Sequence, residues 1–167
     1  MQQSKLGKGM LIVAWVIGLA LLTFMFEEQL EKQFNPNSEP ISSTLNNGTE
    51  VRLKQNRSGH YVTGGAINGQ PVVFLLDTGA TQVSIPMHLA QQLSLRKGRG
   101  ARVQTANGSV QVAQTNIERL SIGDIQLLNV AAHLNPAVSS NEILLGMSAL
   151  KQLEFTQKGE WLTLKHL

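Results

Sequence analysis

Three tight turns, each set between two apolar or β-prone segments, restrict the fold of this chain more than any other feature. The turn dipeptides are Asn68-Gly69, Asn107-Gly108 and Gly123-Asp124, and their residues readily supply the positive φ angles of hairpin turns. The flanking segments are 60–67 with 72–76, 102–105 with 110–115, and 117–122 with 125–131. Three hairpins in one small domain predict an all-β fold.

Two segments break this β pattern and predict short helices. Residues 87–95 carry apolar residues at helical spacing after Pro86, and residues 147–153 place apolar residues on one face. Residues 155–165 predict one more hairpin at the C-terminus. We therefore expect a small all-β domain with one or two short helices.

Residues 10–26 form an uninterrupted apolar run of 17 residues. As a helix the run is about 26 Å long, near the lower limit for crossing a bilayer. It is longer than the apolar core of a signal peptide, and no small-residue cleavage pattern follows it. These features favour an uncleaved transmembrane anchor over the alternative, a cleaved signal peptide.

Charged residues on the two sides of the run predict its orientation. Two lysines precede it and three glutamates follow it closely: Lys5, Lys8, Glu27, Glu28 and Glu31. The positive-inside rule then keeps residues 1–9 in the cytoplasm and exports the rest of the chain. In a bacterium with two membranes, this predicts a single-pass inner-membrane protein with a periplasmic domain.

The exported part divides into a linker and a folded domain. Residues 27–34 can continue the helix as a stalk, and residues 35–48, rich in Pro, Ser and Asn, predict a flexible tether. We assign residues 27–49 to the stalk and linker and residues 50–167, about 118 residues, to one folded domain.

Composition excludes several kinds of chemistry. The chain has no cysteine, which rules out disulfides and thiolate catalysis, and its net charge is only +3. The basic cluster in residues 96–102 has no interleaved aromatic residues, so no nucleic-acid partner is predicted. The four histidines lack the spacing of a helical metal pair and are expected to be surface or hydrogen-bonded residues: His60, His88, His133 and His166. No metal or other cofactor is expected.

The chemistry is predicted at Asp77-Thr78-Gly79, which directly follows the apolar strand 72–76. Such a strand can deliver a carboxylate to the floor of a cleft. The Thr78 hydroxyl can hydrogen-bond across to a partner loop, and Gly79 allows close backbone approach. The alternative for a bare Asp-Thr-Gly is an ordinary turn in which the aspartate caps a backbone amide.

From residue 59 onward the sequence resembles the retropepsins, the retroviral-type aspartic proteases of clan AA, and their membrane-anchored bacterial relatives. The matching residues are the active-site loop Asp77, Thr78, Gly79, Ala80 and Thr81; the supporting psi-loop Leu144, Leu145 and Gly146; and the flap Ala106, Asn107 and Gly108. The resemblance implies a small closed-barrel-like monomer. Thr81 stands where retroviral members often carry an acidic residue that holds the substrate main chain.

This chemistry needs two carboxylates that share one proton. The chain supplies one Asp-Thr-Gly, and Asp124 is expected only to form its hairpin turn. The resemblance therefore implies a homodimer that pairs two Asp77 residues, activates a water molecule and hydrolyses a polypeptide. Two alternatives are a peptide-binding module that does not cut, and a protease activated by association in the membrane. Side chains in the flap, in the loop around Thr81 and Gln82, and near residues 132–140 are expected to form the substrate subsites.

Overall fold

The computed structural model describes residues 3–45, 48–105 and 108–167 of the chain. The chain divides into two compact units, a helical one that ends at Phe34 and a β-rich one from Asn35 to Leu167. The predicted all-β domain with few helices is confirmed by the second unit.

Helix α1 spans Gln3–Phe34, so the predicted helical stalk at residues 27–34 belongs to the same helix as the apolar run. Its segment Gly9–Phe34 has a mean hydropathy of 2.4 and is long and apolar enough to cross a membrane. A signal sequence meets the same criteria of length and composition.

The β-rich unit contains eleven strands among its described residues, together with a 3-10 turn at Met87–Leu89 and the one-turn helix α2 at Met147–Leu150. The strands are β1 Ile41–Leu45, β2 Gly48–Lys54, β3 Val62–Ile67, β4 Gln70–Leu76, β5 Val83–Pro86, β6 Gly100–Thr105, β7 Gly108–Ile122, β8 Ile125–Asn135, β9 Glu142–Leu145, β10 Glu154–Lys158 and β11 Trp161–His166.

The predicted hairpins form around turn residues that have the expected backbone geometry. Asn68 and Gly69 have φ angles of 50° and 82° between β3 and β4, and Gly123 has a φ of 52° between β7 and β8. Strands β6 and β7 pair up to Thr105 and Gly108, whereas residues 106 and 107 at the tip lie outside the described residues.

Two sequence predictions of local structure need correction. Residues 110–115 and 117–122 belong to one continuous strand, β7, because Asn116 pairs with Ala131 in the same register as its neighbours. The helix predicted at residues 87–95 is a 3-10 turn followed by irregular turns. Ser94, with a φ of 55°, has a left-handed backbone conformation that is incompatible with a continuing α-helix.

Seven strands form one sheet in the order β3-β4-β9-β5-β8-β7-β6, and β3 also pairs with β7, which closes the sheet on itself. Fully buried side chains fill the core, among them Phe74, Ile85, Ile117, Leu134 and Ile143. The second sheet has the order β1-β2-β11-β10, and its C-terminal hairpin was predicted from the sequence.

The flexible tether predicted at residues 35–48 is wrong for most of its length. Strand β1 pairs with β2, with Ile41 opposite Arg52. The Asn37 side chain is only 5% exposed: its amide donates to the carbonyls of Lys54 at 2.9 Å and Val62 at 2.6 Å, and its Oδ1 accepts the Lys54 N–H at 2.6 Å. The folded unit therefore starts at Asn35 and not near Glu50.

We predict that Asn37→Ala lowers the free energy of unfolding of residues 35–167 by about 2 kcal/mol, because it leaves part-buried backbone groups of Lys54 and the buried carbonyl of Val62 without this partner. Chemical denaturation followed by Trp161 fluorescence measures this. Asn116→Ala is the matched control: its side chain is exposed, so we expect a change within about 0.5 kcal/mol. Equal effects of the two substitutions would contradict the role given to Asn37.

Candidate active site

Asp77 directly follows β4, and three hydrogen bonds fix its position. Its backbone N–H donates to the Leu145 carbonyl at 3.1 Å, and its own carbonyl accepts the Ala80 N–H at 3.2 Å. The carboxylate Oδ1 accepts the Gly79 N–H at 2.9 Å. The aspartate thus caps a backbone amide, as in an ordinary turn, and still presents a half-buried carboxylate.

The supporting segment Leu144, Leu145 and Gly146 lies beneath this loop. Strand β9 runs parallel to β4, with Leu76 in register with Leu145. A Cβ atom at Gly146 would lie 2.6 Å from the Ala80 carbonyl oxygen and would also overlap the Gln82 carbonyl oxygen. The loop and β9 can approach this closely only because residue 146 has no side chain.

The start of α2 holds the other end of the loop. The Met147 N–H donates to the Ala80 carbonyl at 2.8 Å, and the Ser148 N–H donates to the Thr81 carbonyl at 3.0 Å. The buried Ser148 hydroxyl accepts the Val83 N–H at 3.0 Å and donates to the Ala131 carbonyl at 2.6 Å. Sequence reasoning assigned Ser148 no such role, because a lone serine in a short helix carries no signal.

The carboxylate opens onto a cleft of about 800 Å³. One side is formed by the loop, and the other by residues of the β6–β7 hairpin and of β8. The lining residues are Asp77, Gly79, Ala80, Thr81, Gln82, Ser84, Ala101, Arg102, Val103, Gln104, Thr105, Val112, Gln114, His133, Asn135 and Leu144. Among these described residues Asp77 is the only carboxylate.

The remaining predicted site residues lie at different places. Gly108 pairs with Thr105 at the described end of the β6–β7 hairpin, and the Thr105 hydroxyl donates to its carbonyl at 2.8 Å. The flap residues Ala106 and Asn107 lie outside the described residues. Asp124 lies in the β7–β8 turn, where its N–H donates to the Ser42 hydroxyl at 3.0 Å, and it does not line the cleft.

His133 is a cleft residue for which the sequence prediction was wrong. It was expected at the surface or in a hydrogen bond, yet its side chain is 8% exposed and Nδ1 is buried with no hydrogen-bond partner among the described residues. Burial lowers the pKa of His133 below its ordinary value, because the charged ring loses hydration. The sequence analysis placed residues 132–140 near the substrate, and His133 lies in the cleft within that range, but its burial was not predicted.

Thr78 does not line this cleft, and its side chain is exposed. It lines a second cavity, of about 290 Å³, together with Tyr61, Leu76 and Phe155. The Tyr61 hydroxyl is buried without a partner among the described residues, and Phe155 is 46% exposed. The surface beside the active-site loop is therefore largely apolar. It also contains a buried hydroxyl, that of Tyr61, which has no hydrogen-bond partner among the described residues.

Comparisons with known proteins agree with this geometry. Residues 63–152 match the family model described as "gag-polyprotein putative aspartyl protease". An uncharacterized protein in the cobV 5' region of Sinorhizobium sp is 29% identical over 168 residues, which cover 93% of this chain and 72% of that protein.

Two solved structures are similar. The crystal structure of a retropepsin-like aspartic protease from Rickettsia conorii has a TM-score of 0.60 and 25% identity, and the match covers 77% of this chain and 96% of the other. EIAV protease complexed with the inhibitor HBY-793 has a TM-score of 0.48 and 20% identity, with 59% and 92% coverage.

The matched family model covers more than half of the chain and includes both the Asp77 loop and the β9 segment that supports it. The chain therefore belongs to the retropepsin-like aspartic protease family.

Proposed function

We propose that this protein is an aspartic endopeptidase that cleaves polypeptides with two Asp77 carboxylates, one from each subunit of a homodimer. The observation that carries the proposal is the Asp77 carboxylate, held by the Gly79 N–H at 2.9 Å on the wall of a cleft of about 800 Å³. A cleft of this size accommodates several residues of an extended peptide.

The need for a second subunit follows from the single carboxylate. Two carboxylates about 3 Å apart share one proton, because two negative charges at that distance are strongly disfavoured. The described residues that line the cleft supply only Asp77. A twofold axis beside the loop brings a second Asp77 to the first without any further acidic residue in the chain.

The surface around Thr78 supports this assembly. The exposed Thr78 hydroxyl lies beside a cavity lined mainly by apolar side chains, including Phe155 at 46% exposure. A second copy docked here would bury apolar area close to the twofold axis and would place the two active-site loops side by side.

In the proposed reaction the ionised Asp77 accepts a proton from a bound water molecule, which attacks the scissile carbonyl. The protonated Asp77 of the other subunit donates its proton to the carbonyl oxygen. When the tetrahedral intermediate collapses, the carboxylate that accepted the water proton gives it to the leaving amine nitrogen and the C–N bond breaks. The other carboxylate takes a proton from one hydroxyl of the intermediate, whose oxygen becomes the carbonyl of the new carboxylic acid. The two carboxylates then again hold one proton between them.

We predict that Asp77→Asn reduces cleavage of an unstructured, fluorescently labelled polypeptide at mildly acidic pH by at least about a thousandfold, because an amide cannot accept the water proton. Product formation by residues 35–167 is the measurement. Asp124→Asn is the matched control, the same change in an exposed turn, and should retain wild-type activity. Cleavage by Asp77→Asn would refute the proposal. Binding without cleavage by the wild type would favour the silent peptide-binding module.

We further propose that α1 anchors the protein in the inner membrane, with the N-terminus in the cytoplasm and the protease domain in the periplasm. The segment Gly9–Phe34 satisfies the length and hydropathy of a span. The lysines before it and the glutamates after it give the orientation.

Single cysteines test this topology, because the chain contains none of its own. In spheroplasts we expect a membrane-impermeant maleimide to label full-length Ser58→Cys, whose position is exposed in the β-rich unit. Ser4→Cys should be labelled only after lysis. The reverse pattern would contradict the orientation, and release of the protein without its first 26 residues would identify a cleaved signal sequence.

A further inference from the structure

Polar side chains form a row on one wall of the cleft. Ser84 on β5 lies directly opposite His133 on β8, and His133 lies opposite Gln114 on β7. Neighbouring strands are about 4.8 Å apart, so Ser84 and Gln114 flank the imidazole on its two sides. All three residues line the cleft, and Leu144, paired with Ser84 on β9, continues the row toward the Asp77 loop.

Burial makes this row unusual for the inside of a β barrel. Ser84 is 6% and His133 8% exposed, and each occupies a position where an apolar side chain would satisfy the packing. Burying a polar group without a hydrogen bond costs free energy. Nearby Asn135 offsets this cost within the fold, because its Oδ1 accepts the Ala137 N–H at 2.9 Å. His133 Nδ1 has no such partner among the described residues.

The charge of the wall restricts what it can bind. Burial lowers the pKa of His133 and so disfavours the charged ring, and a neutral imidazole carries one donor and one acceptor. The described cleft residues with a full charge are Asp77 and Arg102, and neither is paired with His133 in the strand register. A ligand that both donates and accepts hydrogen bonds, and brings no charge, complements this wall.

We infer that Ser84, His133 and Gln114 form a polar subsite that binds an uncharged hydrogen-bonding side chain of the substrate, such as that of Gln, Asn, Ser or Thr. The inference rests on the proposed function, because it names the side chain that the same cleft selects. No described residue hydrogen-bonds Nδ1, so rotation of the ring about its Cβ–Cγ bond breaks no hydrogen bond at that atom. A substrate side chain that reached Nδ1 would supply the hydrogen bond that this atom lacks.

The test uses the full-length protein in detergent micelles and a set of extended decapeptides that differ only by Leu, Gln or Thr at one position at a time. For the wild type we expect one position where Gln or Thr raises kcat/KM over Leu by about fivefold, the effect of one net hydrogen bond. His133→Leu should abolish or reverse that preference. His60→Leu, the same change at an exposed loop residue outside the cleft, should leave it unchanged.

Gln114→Leu provides a second variant that does not depend on repacking the core, because the Gln114 side chain is exposed. It should reduce the same preference several-fold. A preference for Leu at every position, or an unchanged preference for Gln or Thr in both His133→Leu and Gln114→Leu, would overturn the subsite.

Binding of the same peptides to Asp77→Asn, measured by fluorescence anisotropy, separates this inference from the proposed function. Preferential binding of the Gln or Thr peptide without any wild-type cleavage would refute the endopeptidase and support the subsite. Cleavage with an apolar preference throughout would support the endopeptidase and refute the subsite. If the peptides are neither bound nor cleaved, both are contradicted.

Discussion

The parallel pairing of β4 with β9 is the contact on which the rest of the site depends. It places Leu76 beside Leu145, so that the Asp77 N–H reaches the Leu145 carbonyl at 3.1 Å as the chain leaves the sheet. The missing side chain of Gly146 then lets the chain after β9 pass against the carbonyl oxygens of Ala80 and Gln82. A carboxylate held this way has its position set by backbone groups, which repack less readily than side chains.

The proposed dimer follows from the single carboxylate in the cleft, and the proposed anchor would favour its formation. One Asp77 per chain lines the cleft, so shared-proton chemistry requires two chains. Confining those chains to a membrane raises their effective concentration and favours association without additional contacts. Strand β11 of the C-terminal hairpin pairs with β2 of its own subunit, and β10 forms an edge of that four-stranded sheet. In the proposed dimer, the surface beside Thr78, which includes Phe155 of β10, contacts the second copy.

Much of the fold could be predicted from the sequence because it is determined locally. Asn68-Gly69 and Gly123-Asp124 select tight turns through their own φ preferences, and the strands next to them pair with minimal loop closure. The Asp77 loop was recognisable for a similar reason, since a short run of consecutive residues defines it.

Features that depend on distant partners could not be predicted. Asn37 is ordered by Lys54 and Val62, 17 and 25 residues further along the chain, whereas its own neighbours indicate only a polar linker. The sequence analysis placed the range 132–140 near the substrate, but the burial of His133 and its polar neighbours depend on the register of β8 with β5 and β7. Ser148 joins Val83 to Ala131 only after three separate segments have come together. A local sequence pattern does not predict contacts between segments that lie far apart in the chain.

The most direct test of the two-subunit site mixes full-length wild type with full-length Asp77→Asn at a fixed total concentration. Cleavage activity is measured after the subunits have equilibrated. If each site needs an intact Asp77 from both subunits, only wild-type pairs are active, and activity falls with the square of the wild-type fraction, to about one quarter in an equal mixture. A linear fall, to about one half in the same mixture, would show that each chain works with its own carboxylate and would contradict the account.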